Sequence, residues 1–215
     1  MKIYNPGSRL STSHARPFIA IFACLLLVGC ASTSKPASSP RAGSGIVEFR
    51  RVTQQAHRST AAIVDSLQAM AQEPGRVAPD FDRAFNDLEL TSIKARARAE
   101  ALIARGQNYF DEWKEHLAVT NQPSAEADYH RLYKHFTLIR ERAGKVRDEF
   151  RPFMVSLRQF RARLDQSAVA SVTNRAPEDI DALTAGGRRV LENLDALSIA
   201  LDAAEAELRV HASKP

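Results

Sequence analysis

Cysteine is almost absent from this 215-residue chain: the two present, Cys24 and Cys30, both fall within the first thirty residues. Everything after them lacks a thiol, so neither a disulfide framework nor zinc–thiolate chemistry is available there, and packing must supply the stability. Glycine and proline are scarce as well, at 9 and 10 residues. No glycine-rich phosphate loop, no His-Glu-x-x-His and no haem-attachment motif occurs. Strand-like alternation of useful length is missing, and so is any repeat at solenoid periods. Ala, Leu, Arg and Glu recur instead, a usage that favours long helices.

The N-terminus departs from the rest. Lys2, Arg9 and Arg16 precede an apolar run of eleven residues, Phe18 to Val28, and then Gly29-Cys30. Eleven residues suit the core of an export signal and fall short of the ~20 that span a bilayer. Leu27-Val28-Gly29-Cys30 resembles the bacterial lipobox. That resemblance implies removal of residues 1–29 by signal peptidase, an S-diacylglycerol on Cys30 and an N-acyl group such as palmitate on its amine. Ala31, where retention at the inner membrane is signalled by Asp, resembles an outer-membrane lipoprotein facing the periplasm. A mature chain from Cys30 has 186 residues, and loss of three cations lowers the formal charge from +5 to +2. So small a charge on an exported protein excludes nucleic acid as the expected partner.

Residues 30–45, rich in Ser, Ala and Pro, are expected to form a flexible tether, and 46–211 a helical domain. Four segments carry helical spacing. The first, about Ser44–Glu73, places Phe49, Val52, Ala56, Thr60, Ile63, Leu67 and Met70 on one face. The second, about Asp80–Val119, runs from Phe81, Phe85 and Leu88 through Ser92, Ala95, Ala99, Leu102 and Gly106 to Phe110, Trp113 and Leu117. The third, about Ala125–Ala168, keeps steps of three and four from Tyr129 to Leu164, which predicts coiled-coil-like packing. Pro152 lies inside it and predicts a kink or a break into two helices near Arg151. Ser124 is the expected N-cap. The fourth, about Pro177–His211, aligns Ile180, Leu183, Gly187, Val190, Leu194, Leu197, Leu201, Ala204 and Leu208. Short connections make consecutive helices antiparallel, so the expected fold is all-α, an elongated up-and-down four-helix bundle.

Tyr109-Phe110-Asp111-Glu112-Trp113-Lys114-Glu115 and the proline-interrupted Phe150-Arg151-Pro152-Phe153-Met154, placed in this order after a lipobox, resemble an uncharacterised family of bacterial helical lipoproteins over residues 46–208. Membership would imply the fold and the anchor, and no activity.

Two constellations carry chemistry. Glu112 and His116, and Glu126 and His130, are each one helical turn apart, and the intervening turn is placed to bring them together as candidate metal ligands. A solvated surface is the simpler reading, and neither catalytic residues nor a cofactor beyond the Cys30 lipid are expected. The second constellation is charge. Arg131 to Arg163 holds ten cations against three carboxylates, whereas Glu178 to Arg209 holds eight carboxylates against three cations. Either the third and fourth helices neutralise one another, or Arg140, Arg147, Arg151 and Arg158 form a basic interaction face for anionic headgroups or an acidic envelope protein. The expected function is a non-enzymatic envelope scaffold anchored by lipid. The alternative is a ligand-binding or holdase-like bundle that opens for an apolar client.

Overall fold

A computed structural model describes residues 40–72, 79–120, 122–166 and 176–213. The export segment, Cys30 and the first part of the expected tether lie outside the described residues. Four helices are present, α1 Pro40–Gln72, α2 Pro79–Thr120, α3 Pro123–Gln166 and α4 Ala176–Ala212, and no strand occurs among the described residues. At 1.5 Å per residue these helices are ~50 to ~66 Å long. The fold is the expected four-helix bundle.

Local chemistry sets the helix ends. Pro79 and Pro123 open α2 and α3, where a missing N–H costs no intrahelical bond. Asp80 and Asp82, Glu126, and Glu178 and Asp179 occupy first turns, while Arg163, Arg209 and His211 occupy last turns. Each charge opposes the local end of the helix dipole. Two boundaries differ from expectation. Helix α1 begins at Pro40, so residues 40–45 continue the helix rather than the tether. Ser124 lies inside the first turn of α3, and the Glu126 amide instead donates to the Gln122 carbonyl at 3.1 Å. Pro123 at the first helical position displaces the expected cap by two residues.

Cross-helix contacts establish the antiparallel order. Gly45 lies near Leu102 and Ser59 meets Thr91 at 3.3 Å, so α1 and α2 run in opposite directions. Arg50 meets Asp202, His57 meets Asp195 and Val64 lies against Gly187, so α1 and α4 do too. Each helix flanks two others, α2 and α3 approaching one another least. The apolar stripes of α1 and α4 are buried along most of their length. One core cluster centres on Leu67, Phe81, Leu157, Phe160 and Leu183, and a second on Phe49, Ile139, Leu197 and Leu201. A third, Phe110, Trp113, Tyr129, Leu132 and Phe136, fills the end beside the α2–α3 turn. The stripes of α2 and α3 are buried at both ends but only half-buried from Ser92 to Gly106 and from Ala143 to Phe150.

Pro152 does not divide α3, which is one helix through it. Its ring is on the exposed side. The Asp148 carbonyl that would have accepted the missing N–H is therefore on the side where water can satisfy it. Two glycines serve close packing. A methyl group on Gly106 would fall 2.2 Å from the Phe136 ring, and one on Gly187 would fall 2.4 Å from Val64 and 3.2 Å from Phe153. Helix α2 thus seats an aromatic ring directly on its backbone, and α4 seats side chains of both α1 and α3.

Candidate functional site

The four candidate metal ligands are not gathered into one site. Glu126 and His130 pair at 3.7 Å on the exposed side of α3, and Glu112 and His116 are exposed on the last turns of α2. Among the described residues no group of three or more His, Cys, Asp or Glu side chains converges. The spacing within each pair is helical, but the turn does not aim one pair at the other.

The charges are distributed differently from a simple neutralisation of α3 by α4. Among the described residues, the cations of α3 that reach carboxylates of α4 are Arg131 and Arg163, which meet Glu207 and Asp179. Two contacts run in the opposite sense, from Arg189 of α4 to Glu149 of α3 at 3.1 Å and from His211 of α4 to Asp128 of α3 at 3.3 Å. Arg158 and Arg161 turn to α2, meeting Glu89 at 2.9 Å and Asp82 at 3.0 Å. Arg161 also lies 4.8 Å from the centre of the Phe85 ring. The carboxylates of α4 turn largely to α1: Arg50 meets both Asp202 (3.0 Å) and Glu205 (2.7 Å), and His57 meets Asp195 at 3.2 Å. In a four-membered ring each helix has two neighbours, and charge totals per helix do not choose between them.

Arg140, Arg147, Arg151 and Arg158 are spaced by seven, four and seven residues, which places them on one face of α3. The two outer members fix its direction. Arg158 holds Glu89, and Arg140 donates to Gln107 at 3.4 Å, both on α2. The stripe therefore borders the outer seam between α2 and α3. Arg147 in its middle pairs with its own neighbour Asp148 and is 76% exposed, while Arg151 has no ion pair or hydrogen bond among the described residues. On the facing side of α2, Arg96 pairs within its own helix with Glu100. The four expected residues share a face, with the ends tied to α2 and the centre left to solvent.

A second surface feature lies on the other flank of α3. A cleft of about 220 Å³ between α3 and α4 has Phe153 and Leu183 in its lining, and Pro152, Ser156, Ala182 and Gly186 widen it. Arg163–Asp179 and Glu149–Arg189 bracket it, so its charges are already matched.

Some polar positions were not legible in the periodicity. Glu205 is only 8% exposed, next to Ala204 on the α4 core side, and Arg50 supplies its counter-charge. A carboxylate three residues before Leu208 and four after Leu201 is the available signal. Asp128 and His211 meet at 3.3 Å between the ends of α3 and α4, beside the aromatic cluster. Within that cluster, burial pushes the phenol pKa values of Tyr109 and Tyr129 upward; Tyr133 and Asp111 add to the rise at Tyr129.

No family model matches this chain, and no curated protein matches it. Among solved structures, it is similar to a de novo designed two-domain di-Zn(II) and porphyrin-binding protein, with 15% identity and a TM-score of 0.44. That match covers 76% of this chain and 96% of the designed one.

Proposed function

We propose that this protein is a non-enzymatic envelope component, a helical bundle held at a membrane by lipid on Cys30, which works through its outer faces. The lipobox-like Leu27-Val28-Gly29-Cys30 supports the anchor. No described helix is long and apolar enough to cross a membrane, so membrane attachment of the bundle calls for a means other than these helices. The single observation that carries the scaffold reading over the client-binding one is the filled interior. Ile63, Leu67, Leu88, Leu157, Val190 and Leu201 are wholly withdrawn from solvent. Opening the bundle to an apolar client would expose this surface at ~25 cal/mol per Å².

Fractionation of cells carrying the wild type or Cys30→Ser tests the anchor, together with an apolar dye added to the purified mature protein. The expected results are a membrane-bound wild type, a Cys30→Ser protein that keeps residues 1–29, and little dye binding. A wild type recovered free of membrane would remove the anchor. Strong dye binding by the folded protein would favour the client-binding bundle.

A further inference from the structure

The α2/α3 seam is tied across at two places and open between them. Asp82, Asn86 and Glu89 of α2 hold Arg161 and Arg158, and eighteen residues further along α2 Gln107 accepts from Arg140. Between these ties, α3 presents Arg140, Arg147 and Arg151, with Asp148 beside Arg147. Across from it α2 presents Arg96, which pairs with Glu100, while Arg98 turns away from the seam to Glu48 of α1 at 2.8 Å. The open stretch thus carries three arginines of α3 against one neighbouring carboxylate, Asp148, while Arg96 of α2 is matched by Glu100.

Two aliphatic side chains stand in the same stretch. Ile93 is one heptad beyond Asn86 on the α3-facing side of α2 and is 66% exposed; Val155, one turn before Arg158, is 45% exposed. Gly144 is the third feature. It lies on the arginine stripe, one turn after Arg140 and one before Arg147, and nothing stands within 4 Å of where its side chain would begin. A glycine inside a helix costs ~0.5–1 kcal/mol relative to alanine. Gly106 and Gly187 recover that cost in packing, and Gly144 recovers nothing within the bundle.

We propose that this open seam is the face the bundle lays against a membrane surface rich in phosphate-bearing anionic lipids. The open arginines, Arg140 to Arg151, are strung along ~17 Å of helix rather than converged on a point, so they match a plane of headgroups. Guanidinium pairs well with phosphate oxygens. Ile93 and Val155 supply apolar contact at the headgroup boundary, and the bare backbone at Gly144 lets a headgroup approach between Arg140 and Arg147. An acidic helix of a protein partner would need a row of apolar anchor pockets, and two isolated aliphatics do not make one. The proposal rests on the anchored reading, which keeps the bundle within reach of a bilayer.

The test uses the mature protein reconstituted in vesicles, labelled at Val155→Cys on the seam or at Ile199→Cys on α4. Quenching by nitroxide on lipid headgroups reports which side meets the surface. We expect quenching at position 155, with position 199 silent, in phosphatidylcholine vesicles containing phosphatidylglycerol. It should vanish in phosphatidylcholine alone and at ~0.3 M salt, where screening acts over less than ~8 Å. Arg140→Gln/Arg147→Gln/Arg151→Gln, which spares the Arg158–Glu89 tie, should abolish it without lowering the melting temperature. Gly144→Leu should weaken it while melting no lower than the wild type. Equal quenching at both positions, persistence in neutral vesicles, or an unaffected triple variant would overturn the proposal; so would silence at position 155, leaving the seam to an acidic protein. Intact mass separates the two readings: without acyl chains the anchor fails alone, and anionic vesicles should still quench position 155.

Discussion

Single residues in this bundle are judged by what a methyl group would meet. Gly187 is pressed between Val64 and Phe153, so Gly187→Ala should overpack the core and cost ~1–3 kcal/mol in urea unfolding. Gly144 faces open space, and Gly144→Ala should instead stabilise by ~0.5–1 kcal/mol. The sequence distinguishes the two only in part. Gly186-Gly187 interrupts an apolar stripe and so points to close packing, whereas the difference between Gly106 and Gly144 depends on where Phe136 lands. Aromatic positions separate similarly. Phe136 is buried and Phe150 half-buried, although both occupy the same three-four repeat. Phe136→Ala should therefore cost ~3–5 kcal/mol and Phe150→Ala clearly less, measured by the same unfolding curves. Equal losses would mean that the half-open stretch of α3 closes in solution.

At the scale of the helix, punctuation and period carry most of the fold. Pro79 and Pro123 mark two starts, acidic first turns support three, and the stripes name most of the core residues. Period does not reveal how closely a stripe is covered. Ser92, Ala95 and Ala99 continue the α2 stripe, yet small side chains there and half-buried residues on α3 leave that part of the seam open. Nor does the sequence reveal that Pro152 is carried within one continuous helix, because that depends on the exposed side on which it falls. The aromatic end of α2 and α3 gives a pH signature. Burial raises the Tyr109 pKa, so the folded state keeps its phenol proton to higher pH than the unfolded chain. Its stabilising effect is complete below ~10 and is lost as pH rises through the folded value. Unfolding midpoints should fall as pH rises above ~10, and fall less in Tyr109→Phe. An identical decline in the variant would assign the alkaline loss to other groups.

For the whole molecule, the four-membered ring explains why charge totals mislead. Helix α3 is basic and α4 acidic, yet the α4 carboxylates divide between Arg50 and His57 of α1 and Arg131 and Arg163 of α3. Such exposed bridges contribute ~0–1 kcal/mol each, so the bundle depends on its apolar interior and its surface remains free to serve another purpose. The metal candidates illustrate the same limit: helical spacing sets Glu126 beside His130 but cannot bring Glu112 and His116 to them. What joins this bundle to a membrane depends in the proposal on one residue, Cys30. The most direct measurement is an intact-mass spectrum of the protein isolated from its native cells. The predicted result is a chain beginning at Cys30 and heavier by a diacylglyceryl group and one acyl chain; an unmodified N-terminus at any position would contradict it.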